Sequence, residues 1–170
     1  MQSLPPEVHM DVLVALAISI GILIAGWTYV ALGVAALPVW VGILAWGCFF
    51  AAGGKTTGLT KTIAANLSGV VWAFLALEGA RRFGNGALPV LSLMVGLAAF
   101  FMVLQAKVSA LSFIPGAFIG AAAAVSVVVG AGTTFPHPWV KTIVALVVGA
   151  ILGYVSEMLA GSIGGRKRAV

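Results

Sequence analysis

The stretch from residue 139 to residue 161 reads WVKTIVALVVGAILGYVSEMLAG and holds only two charged residues, Lys141 and Glu157. A helix of this length crosses about 30 Å of hydrocarbon at a rise of about 1.5 Å per residue. Because the run has too few polar residues to present a face to water, it predicts a transmembrane helix.

Five similar apolar stretches precede this one, and each has a length that suits a membrane span. They cover residues of about 10–33, 36–52, 62–80, 87–105 and 114–132. Glycine- and proline-rich segments separate them, such as Gly84-Asn85-Gly86 and TTFPHP at residues 133–138, because these residues end or interrupt helices. The sequence therefore predicts an all-α polytopic membrane protein, with six transmembrane helices in one domain that covers residues 1–170.

The overall composition agrees with lipid as the surrounding solvent. Of the 170 residues, 62% are hydrophobic and only 8% are charged, whereas a soluble domain carries about 25% charged residues. The mean hydropathy is +1.17. The net charge of +5 comes from basic residues scattered near helix ends, a distribution typical of orientation in a bilayer and not of nucleic-acid binding.

The distribution of lysine and arginine predicts the orientation of the chain. With six spans, both termini lie on the same side of the membrane. That side carries the larger set of basic residues: Lys55, Lys61, Lys107, Arg166, Lys167 and Arg168. The opposite side carries Arg81, Arg82 and Lys141. The positive-inside rule then places both termini, including a basic tail at residues 162–170, in the cytoplasm.

Two segments of the chain resemble each other. Residues 61–69 read KTIAANLSG, and residues 141–149 read KTIVALVVG, with Lys, Thr, Ile, Ala and Gly at matching offsets. This pattern predicts two three-helix units, at about 10–80 and 87–161, and an odd number of spans per unit inserts them in opposite senses. Inverted 3+3 repeats are typical of channels and transporters. Chance similarity between Ala-, Val- and Gly-rich helices is the alternative.

Polar and bulky residues of helices two and three are the candidates for a transport pathway. Asn66 and Ser68 would offer hydrogen bonds to a small solute, and Phe49, Phe50 and Trp72 would form a constriction. The alternative is ordinary helix packing, since intramembrane amides and hydroxyls commonly bond to a neighbouring helix.

Five further residues could mark the mouths of a pathway or couple transport to an ion: Lys61, Lys141, Glu78, Glu157 and His137. Each has a simpler interpretation. The carboxylate of Glu78 precedes two arginines at ion-pair spacing, and lysines near helix ends reach the headgroups with their charged tips. His137 lies between two prolines, where it would be solvated.

Enzymatic and cofactor chemistry are not indicated. The segment Gly53-Gly54-Lys55-Thr56 differs from a phosphate-binding loop, because Phe49 occupies the position of the first glycine in that motif. Cys48 is the single cysteine, so it forms no internal disulfide and no metal cluster. No nucleophile–base pair or ligand set is visible, and we predict neither an enzyme nor a bound cofactor or metal.

The stretch from Pro38 to Gly69 resembles a known family. Its pattern is W-x-G-I-L-A-W-G-C-F-F-A-A-G-G-K-T-x-G-L-x-K-T-x-A-A-N-L-S-G. It is similar to the inner-membrane family of unknown function that includes YcdZ, and the resemblance extends over nearly the whole chain. It implies a short multi-helix protein of the bacterial inner membrane, and it supplies no substrate or functional residues.

The sequence favours a passive channel or facilitator for a small, uncharged solute such as urea, ammonia or an amide. An ion-coupled secondary transporter and a non-transporting scaffold or accessory subunit remain alternatives. The glycine pairs Gly116/Gly120 and Gly149/Gly153 would let helices approach closely within or between protomers. From these small-residue faces we expect a homo-oligomer, such as a trimer, in the lipid bilayer.

Overall fold

The computed structural model describes residues 11–131 and 134–164, and these residues form six α-helices and no β-strand. The helices are α1 (Val12–Gly33), α2 (Val39–Ala51), α3 (Lys55–Gly84), α4 (Leu88–Leu104), α5 (Ile114–Val125) and α6 (Pro138–Ile163). The predicted all-α polytopic membrane class is confirmed. Residues 165–170, and with them most of the predicted basic tail, lie outside the described part of the chain.

The six helices differ in length. Four are long and apolar enough to cross a membrane: α1, α3, α6 and the segment Leu88–Lys107, which is α4 with the 3₁₀ turn that follows it. Helix α2 has 13 residues, fewer than the predicted span of 36–52. Its first turn starts late because Leu37 donates its N–H to Ala31 and Pro38 is still extended. Helix α5 is followed by a π-helical turn, Ser126–Gly130.

Helix α3 starts earlier than the sequence predicted. The expected break at residues 53–58 is limited to Gly53 and Gly54, whose φ angles are 98° and 66°, and the helix begins at Lys55 instead of Thr62. The Glu157 carboxylate accepts a hydrogen bond from the Lys55 N–H at 2.7 Å. A negative charge at this position stabilises the positive end of the helix dipole, and the cap that permits the early start comes from a distant part of the chain.

The contacts between helices follow the same scheme in the two halves of the chain. The most extensive contacts are those of α3 with α5 and of α2 with α6, followed by those of α4 on α3 and of α1 on α6. If α1 is exchanged with α4, α2 with α5 and α3 with α6, the contact of α3 with α5 becomes that of α6 with α2. The contact of α4 with α3 likewise becomes that of α1 with α6. Helices α3 and α6 also contact each other directly, so these two long helices form the centre of the bundle.

Glycines allow the closest helix approaches, and two of them occupy equivalent places in the bundle. A Cβ atom at Gly69 of α3 would overlap the carbonyl oxygen of Ala117 in α5. A Cβ atom at Gly149 of α6 would likewise overlap the carbonyl oxygen of Gly42 in α2. Small residues at helix crossings are typical of membrane proteins, where close packing replaces the hydrophobic effect as the main source of association. These two glycines occupy matching offsets in the similar segments 61–69 and 141–149.

Candidate functional site

The strongest candidate site lies on one face of α3, where Thr62 and Asn66 are one helical turn apart. Their side chains are fully enclosed, with 0% and 1% of their surface exposed. The Thr62 Oγ1 and both polar atoms of the Asn66 amide have no hydrogen-bond partner among the described residues. An unpaired buried polar group costs about 1–3 kcal/mol, so three such atoms in one place call for an explanation.

Helices α2 and α5 enclose this polar face. The Cys48 thiol of α2, a weak hydrogen-bonding group, lies beside the Asn66 side chain but not in the geometry of a hydrogen bond. On α5, Gly120 packs directly against the Asn66 backbone, where a Cβ atom would overlap the Asn66 carbonyl oxygen. The amide is therefore held at a crossing of three helices. We refer to Thr62, Asn66 and Cys48 as the amide cluster.

The equivalent face of α6 has no unpaired polar atoms. Thr142 is also 0% exposed, but its Oγ1 donates to the Pro138 carbonyl at 2.9 Å. One turn later the position of Asn66 is taken by Leu146, which is 1% exposed. The two central helices thus share their burial pattern, and only α3 carries an amide that lacks a partner.

Ser68 and Trp72 face a different side of α3. The Gln105 amide accepts a hydrogen bond from Trp72 Nε1 at 2.9 Å and donates one to Ser68 Oγ at 2.9 Å. The Trp72 ring stacks on Phe101, with centroids 5.3 Å apart. This fully bonded network ties the end of α4 to α3 and lies apart from the amide cluster. Sequence reasoning did not single out Gln105, although an amide at the end of an apolar stretch was the available signal.

Of the predicted constriction residues, Phe49 and Phe50 pack against each other but differ in burial, and Trp72 lies apart from them. Phe49 is 0% exposed and its ring lies against Gly153 of α6, where a Cβ atom would approach it to 2.9 Å. The Phe50 ring meets Phe49 edge to face at 5.1 Å and is partly exposed. The structure therefore groups Phe49 with the buried centre that also contains Asn66, and it directs Trp72 towards α4.

A second polar group in the bundle is fully bonded. Trp46 Nε1 donates to Ser156 Oγ at 3.2 Å, and Ser156 Oγ donates to the Gly153 carbonyl at 2.7 Å. Ser19 of α1 donates to the Ser156 carbonyl at 2.9 Å. These contacts fix α1 and α2 on α6, and sequence reasoning did not identify them because the three residues are far apart along the chain.

The two candidate carboxylates are both engaged. Glu78 accepts hydrogen bonds from Arg81 at 2.7 and 2.9 Å and from Arg82 at 2.6 Å. This is the local ion pair that the spacing indicated. Glu157 bonds to the first N–H of α3 and lines an open cavity of about 330 Å³ with Lys55 and Tyr154. The structure brings neither carboxylate together with the amide cluster.

The remaining candidates lie at the ends of the bundle. The Lys141 ammonium donates to the carbonyls of Ala35 and Ala36 at 2.9 and 2.7 Å, which ties the start of α6 to the α1–α2 connection. Lys61 is partly exposed on α3. His137 is exposed and forms the N-cap of α6 with a left-handed φ of 52°.

Within residues 11–131 and 134–164, no group of three His, Cys, Asp or Glu side chains comes together. Gly116, Gly120, Gly149 and Gly153 all pack against other parts of the same chain. Because these faces are used internally, they no longer argue for an oligomer, and the predicted homo-oligomer stays a prediction.

The chain matches the model of a family described as a protein of unknown function (DUF1097) over residues 17–161. It is 37% identical over 155 residues to inner membrane protein YcdZ of Escherichia coli (strain K12), which covers 87% of this chain and 85% of that protein. YcdZ of Salmonella typhimurium is also 37% identical, over 152 residues and 87% of each chain. Protein YahC of Escherichia coli is 31% identical over 165 residues, or 87% of this chain and 90% of YahC. No solved structure matches. The chain therefore belongs to the DUF1097 family of membrane proteins of unknown function that includes YcdZ.

Proposed function

We propose that this protein is a passive facilitator of the inner membrane for a small, uncharged solute of the size of urea, ammonia or a short amide. The observation that carries the proposal is the Asn66 amide, which is enclosed at the crossing of α2, α3 and α5 with both polar atoms unpaired. An amide has donors and an acceptor. A small solute with both kinds of group would complete its hydrogen bonds.

The composition of the amide cluster favours an uncharged solute. Its members are a hydroxyl, a carboxamide and a thiol, none of which carries a fixed charge. A permanent ion at this depth would need an opposite charge or several oxygen ligands to offset its lost hydration. The two candidate carboxylates, Glu78 and Glu157, are engaged elsewhere with Arg81, Arg82 and the α3 N-terminus. This arrangement speaks for a facilitator over an ion-coupled transporter.

The exchange of helix contacts between the two halves supports an inverted 3+3 repeat. In such proteins the substrate site lies near the middle of the membrane, between the two repeats. Asn66 lies in the first repeat and contacts Gly120 of the second repeat through its backbone. The amide cluster is thus at the kind of interface where a pathway is expected.

Passage of a solute requires movement of these helices. Phe49 and Leu146 are completely enclosed, so the centre of the described bundle is closed. The contacts of Lys141 with the α1–α2 connection and of Glu157 with the α3 N-terminus join the two repeats at opposite ends of α6. We infer that these two polar contacts open and close on either side of the amide cluster during passage.

The proposal is tested by solute flux in proteoliposomes that contain the full chain. Stopped-flow light scattering follows urea and short amides, and an internal pH dye follows ammonia. Losing one or two hydrogen bonds of about 1 kcal/mol each predicts that Asn66→Leu lowers the flux about five- to thirtyfold. Thr142→Val is the matched control, because it also removes a buried polar group but leaves the amide cluster intact, and its flux should equal that of the wild type.

Other results would replace the proposal. Wild-type flux no greater than that of empty vesicles, for every solute tested, removes the facilitator. Uptake that depends on a proton or sodium gradient supports a secondary transporter instead. A stoichiometric protein partner in mild detergent, together with zero flux, supports an accessory subunit.

A further inference from the structure

A second cavity lies on the side of the bundle, between α3, α4 and α5. Its volume is about 330 Å³, and every side chain that lines it is apolar. Alanines form much of the wall, including Ala73 and Ala76 of α3, Ala98 of α4 and Ala122 of α5. This site is distinct from the amide cluster.

The cavity opens towards the surrounding lipid. Its inner wall is buried, as shown by Ala73, Ala98 and Met102, which are 5–7% exposed. Its rim is exposed, with Val95 at 51% and Phe118 at 41%. Helix α4 packs closely on α3 but makes few contacts with α5, so the opening is a cleft between α4 and α5 that faces the hydrocarbon of a bilayer.

The first half of the chain fills its corresponding cleft with a side chain. Trp27 of α1 packs over Gly42 of α2, where a Cβ atom would approach the indole ring to 2.6 Å, and its Nε1 donates to the Val39 carbonyl. Val39 is the first residue of α2, 12 positions after Trp27. The connection between the helices is longer in the second half, so the counterpart is counted from the helix ends: Trp27 lies six residues before Gly33 in α1, and Ala98, which lines the cavity, lies six residues before Leu104 in α4. The smaller residue and the surrounding alanines leave open the space that the indole ring fills on the other side.

Positive charge lies just beyond one end of the cleft. Leu77 lines the cavity, and Arg81 follows one helical turn later, about 6 Å along α3. The side chains of Arg81 and Arg82 are 69% and 67% exposed, and they share the single carboxylate of Glu78. Two guanidinium groups and one carboxylate leave a net charge of +1 at this end, which suits a phosphate group.

We propose that this cleft binds one acyl chain of an anionic phospholipid, whose phosphate is held by Arg81 and Arg82. The charge at the end of the cleft favours a lipid over a helix of a second copy, because a phosphate group can pair with Arg81 and Arg82. An extended hydrocarbon chain is narrow enough to enter between α4 and α5. The proposal needs only the membrane location and is independent of solute transport.

The test compares lipid retention by the full chain and its variants with native mass spectrometry. Purified protein is exchanged into detergent and titrated with phosphatidylglycerol or phosphatidylcholine. We expect one tightly held phosphatidylglycerol per chain, bound at least about tenfold more tightly than phosphatidylcholine. Ala122→Phe fills the cleft and should remove this lipid, whereas Ala51→Phe places the same ring at an exposed site on α2 and should retain it. Arg81→Gln combined with Arg82→Gln should abolish the preference for the anionic headgroup while a chain still binds.

Three outcomes would overturn the proposal. One is equal retention of lipid by Ala122→Phe and Ala51→Phe. Another is a change from oligomer to monomer in Ala122→Phe, which would identify a second copy as the occupant. The third is an unchanged headgroup preference in the double arginine variant. If Ala122→Phe does not fold, Val125→Trp on the rim of the cleft takes its place with the same expectation.

Discussion

Helices α3 and α6 hold equivalent places in the bundle but differ in how they satisfy their buried polar atoms. Each carries an enclosed threonine, Thr62 or Thr142, and each has a glycine where a short helix crosses it. In α6 the threonine bonds to its own backbone and the next buried residue is Leu146. In α3 the threonine is unpaired and the next buried residue is Asn66, which is unpaired as well.

This difference distinguishes the residues that the fold requires from a residue that it does not require. A bundle that packs well with leucine at one of two equivalent positions does not require an amide at the other. Asparagine at that position is a cost to stability, and costs of this kind persist at binding sites. The comparison therefore assigns packing to both halves, and it supports the proposal that the first half binds the solute.

The largest effect is expected where the two helices are alike. Gly69→Ala and Gly149→Ala each place a methyl group against a backbone carbonyl of the crossing helix, and a backbone cannot move aside as a side chain can. Each substitution should lower the free energy of unfolding by about 3 kcal/mol, the upper part of the usual range for overpacking. Thermal unfolding in detergent, followed by tryptophan fluorescence, measures the loss.

The control for these variants is Gly47→Ala in α2, where an added Cβ atom meets nothing within 4 Å. It should be neutral or slightly stabilising, since alanine has the higher helix propensity. Equal stability of Gly69→Ala and Gly47→Ala would contradict the close crossing of α3 and α5.

The next largest change in stability is expected when Asn66 and Leu146, the residues in which the two helices differ, are each replaced by the other type. Asn66→Leu removes two unpaired buried atoms and should raise the free energy of unfolding by about 1–3 kcal/mol, while Leu146→Asn introduces such atoms and should lower it by a similar amount. The sign for Asn66→Leu is unusual, because most core substitutions destabilise. Combined with the loss of flux expected from the same variant, a gain in stability would identify Asn66 as a functional residue and not a packing residue. Loss of stability in Asn66→Leu would show that the amide is bonded and would remove this interpretation.

The sequence predicted the all-α membrane class because apolar length is a local property. The predicted boundaries failed where a distant residue decides them, as at the start of α3, where Glu157 supplies the cap. The sequence also does not show which helices pack together, so Ser68 and Trp72 were grouped with Asn66 although they bond to Gln105, just after the end of α4. Asn66 itself was accessible to sequence reasoning, because an amide inside an apolar stretch is rare. Whether its atoms are paired depends on tertiary contacts that no local pattern contains.

A smaller effect distinguishes the two carboxylates. Glu157→Gln weakens the contact between α6 and the α3 N-terminus, and a charge at a helix N-terminus contributes about 0.3–1 kcal/mol. Glu78→Gln instead weakens an ion pair whose partners lie in the same helix. Only the first variant affects a contact between the two halves of the chain, so we expect its solute flux to change while that of Glu78→Gln stays at the wild-type level. Flux in Glu157→Gln should remain independent of a proton gradient. If wild-type flux depends on the gradient and the variant loses that dependence, the protein is a coupled transporter instead.

An effect of similar size concerns Thr62 and Thr142, where the same substitution should change the free energy of unfolding differently. Thr142→Val removes the hydrogen bond to Pro138 and should lower the free energy of unfolding by about 0.5–1 kcal/mol. Thr62→Val removes a hydroxyl that has no partner and keeps the shape of the side chain, so stability should stay equal or rise by a comparable amount. Thr62→Val should also lower solute flux severalfold, whereas Thr142→Val should leave it unchanged. Thermal unfolding and solute flux of the two variants test this prediction. Equal losses of stability would mean that the Thr62 hydroxyl is hydrogen-bonded as that of Thr142 is, and the two helices would then differ only at Asn66.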